Sequence, residues 1–599
     1  MKKFFPLVLF FLLLMVFPAN ISFAQANDAD AANQYVVWIR RALDENRFNE
    51  AEAAIKRALV FSNVSSDISY LAAIIYIDAQ TESRSKIVAY LDTAIDVNRW
   101  TYYSENEALV LKARQLVNMR RYPSALAALD QIREGDVSRD ATVGILPLSA
   151  DAAMLRLKAF RGIALNSLNT TEIAAFQRLV LSTMNRFSRD PRPAIIFLEY
   201  LNFIKRQNTR VRFVVSAGDQ QILDLVIRRL PILVEINSEL AWMAADFMQN
   251  DTDARRYIAG YRAGGFLENT AGFIPNLRSI PLALNYGLIN DTQAAHELFN
   301  TPSSFYGIDF NALNDTFAML RSEEGRDEFT RMLLNFTGKI FTYDSHNGLL
   351  ESYADISAGV VRRLYVDITH EDTFNLQFTF NASGVPASAV IPASGLNAVV
   401  FWERYPFVMR VQLQFHPLQE NFHFRPADFN FTPLSFIVLG GSRTRPGISY
   451  PVLTNQLEFS RRTLVSFCAS INRLSTEFEG AIERIVLENG IPVQAVEILG
   501  TNIVSITEFE GGIPVIQYVD LDLDGRMETI RRFHRPGQNH PWPDPGENFN
   551  YRALIASSES DWTGEGRFKT GEVYLWDGSV VYLWDMDGTG TINYSETER

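Results

Sequence analysis

Near the C-terminus, Asp585, Asp587, Thr589, Thr591, Asn593 and Glu596 place oxygen-bearing side chains at nearly every second position of a twelve-residue run, with Gly590 where the run must turn and Ile592 at an apolar eighth place. Hard cations take about six to eight oxygens from carboxylates and carbonyls, so calcium is the ion that this spacing fits. A second run alternates carboxylates in the same way: Asp520, Asp522, Asp524 and Glu528 flank Gly525, with Arg531 standing where the first run has Glu596. The competing reading of each is a solvated Asp-Gly turn whose side chains cap the local backbone.

Over all twelve positions the first run resembles the loop of the EF-hand. That resemblance implies a calcium ion held by Asp585, Asp587, Thr589, Thr591, Asn593 and a bidentate Glu596. It departs at the fifth position, where Thr589 replaces Asp or Asn, and only Thr597, Glu598 and Arg599 follow in place of an exit helix. A weak site is implied, with a dissociation constant of about 10⁻⁴ to 10⁻³ M as in extracellular modules.

Other chemistry is sparse. Cys468 is the single cysteine, which excludes an intrachain disulfide, and its helical spacing from Leu464, Ile471 and Phe478 reads as packing. The chain shows no Ser-His-Asp signature, no phosphate-cradling glycine loop and no His pair at helical metal spacing. His416 and His423 fall on neighbouring strands and read as structural. No enzymatic activity is expected, and a hydrolase with a cleft invisible to sequence stands as an alternative.

The elements that must position these residues fall into two halves. Arg47-Phe48-Asn49-Glu50-Ala51, followed by Ile55 and Ala58, has the same offsets as Arg121-Tyr122-Pro123-Ser124-Ala125, followed by Leu129 and Ile132. Ile87, Leu91 and Ala94 share the spacing, and the three copies lie 36 and 38 residues apart. Each puts small or aliphatic residues on one helix face, opposite a preceding helix marked by Tyr35 and Trp38, by Leu71 and Ile74, or by Leu109. Tyr35 and Trp38 are expected in the core. The pattern resembles the tetratricopeptide repeat, with Ile39 and Ile75 where that family has a small residue and Ala113 conforming. It implies a solenoid of stacked helical hairpins over residues 25–338, whose surface binds a peptide or protein segment.

After Gly338 the period changes to two. Leu376–Phe380, Val408–Phe415, Phe422–Phe424 and Asp428–Thr432 alternate as half-buried strands do. Glu488-Asn489-Gly490-Ile491-Pro492-Val493 returns 22 residues later as Glu510-Gly511-Gly512-Ile513-Pro514-Val515, and Asp577-Gly578 splits two further apolar runs. Asn-Gly and Gly-Gly dipeptides make tight hairpin turns because both central residues take positive φ. The expected architecture is multidomain α plus β: an α-helical repeat solenoid at 25–338, a β-rich domain at 339–441, and a helix with antiparallel β-hairpin repeats at 442–599.

Lys2 and Lys3 precede an apolar run from Phe4 to Phe17, and Ser22-Phe23-Ala24 supplies a cleavage site. This order reads as a signal peptide over 1–24, too short at roughly 14 residues to span a bilayer. An exported chain without a transmembrane anchor is expected, at the periplasm or the cell surface. A formal charge of −13 opposes nucleic acid, whereas 47% hydrophobic and 21% charged residues suit an ordered globular chain. Together these readings describe an envelope binding or scaffold protein with a protein or peptide partner, or else a surface module that binds calcium structurally.

Overall fold

The computed structural model describes residues 28–598 apart from 133–147, 208–213, 265, 267–272, 302–305, 394–395, 415–418, 538–541, 545 and 547–548. The segment 1–24 read as a signal peptide lies outside the described residues, as does His416. Among the described residues, no helix is long and apolar enough to cross a membrane. Contacts divide the chain into two units: Met1–Tyr353 with Val366–Phe374 and Gly440–Pro446, and Ala354–Tyr365 with Asn375–Leu439 and Gly447–Arg599.

The first unit is a series of helices: α1 (28–44), α2 (Phe48–Ala58), α3 (Ser66–Ala79), α4 (Arg84–Val97), α5 (Glu105–Asn118), α6 (Tyr122–Asp130), α7 (Leu148–Ser167) and α8 (Thr170–Arg186). It continues through α9 (Arg192–Gln207), α10 (Ala217–Ile236), α11 (Glu239–Ala245), α12 (Asp251–Arg262), α13 (Ile280–Asn285) and α14 (Asp291–Asn300). After a short strand β1 (Ile308–Asp309) come α15 (Phe310–Met319) and α16 (Glu323–Asn335). Starts are set by polar caps: Ser83, Ser104, Asn169, Ser216, Asn250 and Ser322 each accept a backbone N–H from the first turn of the helix that follows.

The three expected copies are equivalent in space as well as in sequence. Ala51, Ile55 and Ala58 are fully buried, Ile87, Leu91 and Ala94 nearly so, and Ala125 and Leu129 pack with a partly buried Ile132. Each pair turns through one left-handed residue, Asn46 (φ 57°), Gln80 (φ 52°) or Arg120 (φ 58°). In the first and third pairs the next N–H closes back onto the helix, Arg47 onto the Ala42 carbonyl at 2.7 Å and Arg121 onto Leu116 at 2.8 Å. Ile39, Ile75 and Ala113 are all buried. Trp38 corrects the sequence reading: the inward stripe of α1 is Ala32, Val36, Ile39 and Ala42, which rotates Trp38 out to 41% exposure. Phe48 is likewise 51% exposed, where its counterpart Tyr122 is buried against α7 at Gly162.

Two non-helical segments of the same unit are pinned along these helix pairs. Arg120 grips Asp344 (Nε to Oδ2 2.7 Å), Arg161 donates to the His346 carbonyl (2.8 Å), and the Ser85 N–H donates to Glu371 (2.6 Å). Burial alone would raise the Asp344 carboxyl, but hydrogen bonds from His346 and Arg120 hold it well below the usual range.

Strands β2 (Gly338–Tyr343), β3 (Leu350–Ser357) and β4 (Val360–Val366) follow α16, and β1 pairs with β2 in parallel. The second unit continues with β5 (Leu376–Phe380), β6 (Pro386–Ala393), β7 (Leu396–Arg404), β8 (Phe407–Gln414), β9 (Gln419–His423), β10 (Leu434–Leu439) and β11 (Ile448–Leu453). After a helix α17 (Arg461–Phe467) come β12 (Ser470–Leu474), β13 (Ile482–Glu488), β14 (Ile491–Leu499), β15 (Asn502–Glu510), β16 (Ile513–Val519) and β17 (Thr529–Phe533). The described residues end with β18 (Ile555–Ser560), β19 (Thr570–Tyr574), β20 (Val580–Trp584) and β21 (Tyr594–Glu598). Strands β5 to β9 pair antiparallel in sequence order, β9 pairs with β12, and β12 to β21 again follow in order. β10 and β11 form a separate two-stranded ribbon.

The turn dipeptides behave as their chemistry demands: Asn489 and Gly490 take φ 51° and 79°, and Gly511 and Gly512 take 60° and 85°. Asp428–Thr432 keeps its alternation, with Phe429 and Phe431 buried and Asp428 and Asn430 exposed, but it forms only a bridge from Asn430 to Phe407 instead of a ladder, and Phe429 and Phe431 stack on Phe424 and Trp402. The helix near Cys468 stops at Phe467, and Ile471 belongs to β12. The thiol is buried all the same, which pushes its pKa up to about 12.

The inward face of β13 to β17 carries an unusual row. Glu483, Glu497, Ser505, Thr507, Gln517 and Thr529 are all fully buried. Glu483 and Glu497 are direct cross-strand partners. Tyr551 and Arg552, from the connection between β17 and β18, reach this row. Arg552 Nη2 lies 3.0 Å from Glu483 and 2.6 Å from Glu497, and the Tyr551 hydroxyl donates to Glu483 at 2.7 Å. Arg473 pairs with the other Glu483 oxygen at 2.5 Å.

Candidate functional site

Asp520 follows β16, and its turn into β17 brings the alternating carboxylates together because the backbone folds around the first of them. Asp520, 1% exposed, accepts the N–H groups of Asp524 (3.1 Å) and Gly525 (2.9 Å), and Leu523 and Gly525 take positive φ (65° and 93°) to make this possible. Glu528 reaches back to accept the Leu521 N–H at 2.7 Å, while its other oxygen is buried with no hydrogen-bond partner. One oxygen from each of Asp520, Asp522, Asp524 and Glu528 lies within 4.8 Å of all the others. Among the described residues this is the cluster whose spacing a metal ion could bridge.

The Asp585 turn, between β20 and β21, has the same backbone plan. Asp585 accepts from Thr589 (3.2 Å) and Gly590 (2.7 Å), Asp587 accepts from Thr589 (3.1 Å), Thr589 and Thr591 hydroxyls lie 2.8 Å apart, and Asn593 accepts the Met586 N–H (2.9 Å). Glu596 belongs to β21, directly opposite Tyr582.

A third turn of this kind was not evident in the spacing. Asp561, between β18 and β19, accepts from Gly566 (2.7 Å) and Arg567 (3.2 Å), and Thr563 donates to it at 3.2 Å. The common signal is Asp followed five residues later by Gly: Asp520-Gly525, Asp561-Gly566, Asp585-Gly590. Only the first Asp and the Gly recur, and the intervening Trp562 and Thr563 hide the match. All three turns fall at one edge of the sheet, because an antiparallel meander returns to the same edge with every second turn.

A cleft of about 630 Å³ lies in the first unit, between α9, the 274–278 segment, β1 and β2. Its charges are mutually satisfied. Arg278 bonds Asp309 at 2.6 Å beneath the Tyr343 ring, Arg206 pairs with Asp315 and Asn311, and Glu239 accepts from Trp242 (2.5 Å) and Tyr261 (2.8 Å). Among the described residues there, no nucleophile is paired with a base. His423, on β9, sits 3.2 Å from Asn472, and burial lowers its pKa so that the neutral ring is favoured.

No protein-family model matches the chain. An uncharacterised protein of Treponema pallidum (strain Nichols) is 20% identical over 668 aligned positions, which span 93% of this chain and 78% of that protein. Among solved structures, PilF of Pseudomonas aeruginosa is similar over 40% of this chain and 93% of its own, at 13% identity and a TM-score of 0.25.

Proposed function

We propose that the chain is an exported envelope scaffold that holds a protein partner on its first helical hairpin. The observation that carries this reading is the exposed apolar side chains of α1 and α2: Val37 at 51%, Trp38 at 41% and Phe48 at 51%. Large exposed apolar groups mark interaction surfaces, and tryptophan is enriched among residues that dominate binding energy. Trp38→Ala should leave melting unchanged while cutting recovery of co-purifying envelope protein at least about tenfold, a loss of roughly 1.4 kcal/mol or more. The protein purified from the envelope should begin at Gln25. Equal recovery by the unaltered chain and by the Trp38→Ala variant would remove the first hairpin from the reading.

A second reading is supported by the Asp520 turn, where four carboxylates converge and one buried Glu528 oxygen has no partner. Carboxylates held this close repel until a divalent cation offsets them, so calcium would stabilise the folded sheet. At about 100 times the dissociation constant, mass action adds roughly 2.7 kcal/mol. Calorimetric titration of the mature chain should show binding that Glu528→Gln abolishes, with a rise in melting temperature in calcium over chelator. Asp585→Asn should leave that heat intact if the Asp520 turn is the stronger site. No heat at millimolar calcium would return all three turns to backbone capping.

A further inference from the structure

The β10–β11 ribbon has one guarded edge and one open edge, and the register says which groups are open. Phe436 stands opposite Pro451, which has no N–H to donate, so these two form a pair that exchanges no hydrogen bonds. The ladder alternates. Ser435, Ile437 and Leu439 therefore bond to β11, whereas Leu434, Phe436 and Val438 aim their N–H and C=O groups outward. Leu434 agrees with this assignment, since its N–H donates to the Tyr405 hydroxyl (3.0 Å) and its carbonyl accepts from it (2.5 Å). Among the described residues, Phe436 and Val438 have no backbone partner on that side.

The side chains along this edge are exposed: Phe436 at 38%, Ile437 at 42% and Val438 at 68%. Exposed strand edges are normally blunted by charge or proline. β11 carries Pro451, and the terminal strand β21 carries Glu596 and Glu598. β10, Leu-Ser-Phe-Ile-Val-Leu, carries neither.

We infer that β10 pairs antiparallel with β10 of a second copy of this chain, about a two-fold axis through Ile437. The open residues sit one position to either side of that centre, so a single two-fold operation sets Phe436 against the partner's Val438 and Val438 against the partner's Phe436. Both pairs exchange both hydrogen bonds, and no outward group between the two phenylalanines is left over. The same operation lays each phenylalanine ring beside a valine on one face, which apolar cross-strand pairs favour. An isologous contact of this kind is closed, and it yields a four-stranded sheet rather than a filament.

The mature full chain should pass from one-chain to two-chain mass in sedimentation between roughly 1 and 200 μM, a range suited to a small interface. Val438→Pro removes an outward N–H without touching the ladder to β11, and should weaken association about tenfold or more. Ile437→Cys places two thiols across the axis in a pair without hydrogen bonds. Mild oxidation should then trap a reducible dimer, with Cys468 buried and unreactive. Val438→Lys, which keeps the N–H and adds charge to the edge, should weaken association as well, and unchanged melting would show that it folds. One-chain mass throughout the range, together with no cross-link for Ile437→Cys, overturns the inference. So does two-chain mass for the Val438→Pro chain at the wild-type affinity.

Discussion

Replacing Arg552 by Met should cost the β unit about 3–5 kcal/mol at neutral pH, the usual penalty for removing one partner of a buried ion pair. Glu483 and Glu497 face each other across β13 and β14 with no exposure, and the Arg552 guanidinium is the cation common to both. Without it, two carboxylates would share a site that water does not reach, with Arg473 left on only one of them. Their titration sets the pH dependence. Burial raises the Glu497 carboxyl above its ordinary value, with Arg552 opposing, so its ionised form already weakens the fold as pH rises through that raised pKa. Glu483 is the opposite case: burial would raise it, but Arg473 and Arg552 bring it below its ordinary value, so its contribution is present above the unfolded pKa and lost in acid. Removing Arg552 pushes both upward. The deficit should therefore be largest at pH 7 and shrink towards pH 5 as the variant's carboxyls take up protons. Urea unfolding followed at both values tests this, and equal deficits would assign the cost to lost packing instead of charge.

Gly162→Ala should destabilise the helical unit by about 2–3 kcal/mol although alanine is the better helix former by about 1 kcal/mol. Gly162 lies within α7, and a Cβ there would stand 2.1 Å from the Tyr122 ring, with two more ring atoms at 2.4 and 2.5 Å. Tyr122 is 1% exposed and cannot swing aside without opening the third hairpin. The double variant Gly162→Ala with Tyr122→Leu should recover part of the loss, because the shorter side chain vacates the space. Thermal melting in which the single change stabilises would show that α6 and α7 do not meet this closely.

Tyr122 also shows what kind of information the sequence held. Its place in the helical copy was legible, because Ala125 and Leu129 repeat the offsets of Ala51 and Ile55 and helix faces follow a local period. The glycine beneath it was not, since Gly162 lies on another helix and nothing in the spacing marks it. Hairpin turns were legible for the same local reason: Asn489-Gly490 and Gly511-Gly512 state their φ requirement in the residues themselves. The buried row was hidden twice over. In β13 the inward phase contains Glu483 while Ile482 is 49% exposed, which inverts the hydropathy rule, and the Arg552 that makes this tolerable is 69 residues away. Trp38 misled because an aromatic on an amphipathic helix is usually interior, whereas here the stripe of Ala32, Val36, Ile39 and Ala42 was already complete. Of the candidate calcium ligands, Asp520, Asp522, Asp524 and Glu528 lie together in one turn, and alternating carboxylates around a glycine make such a turn legible. Glu596 stands two residues inside β21, which begins at Tyr594, and the spacing alone does not mark where the turn gives way to the strand.

From β13 to β21 every strand pairs only with its neighbours in sequence, and this imposes a parity on how such a chain can change. Excising or duplicating two consecutive strands preserves the direction of everything downstream, whereas a change of one strand would reverse it. An odd change between Asp520 and Asp561 would carry the Asp561 and Asp585 turns to the opposite rim, away from Asp520. Length variation in this sheet is therefore confined to whole hairpins, and the 22-residue echo between Glu488 and Glu510 is one such step, two strands long.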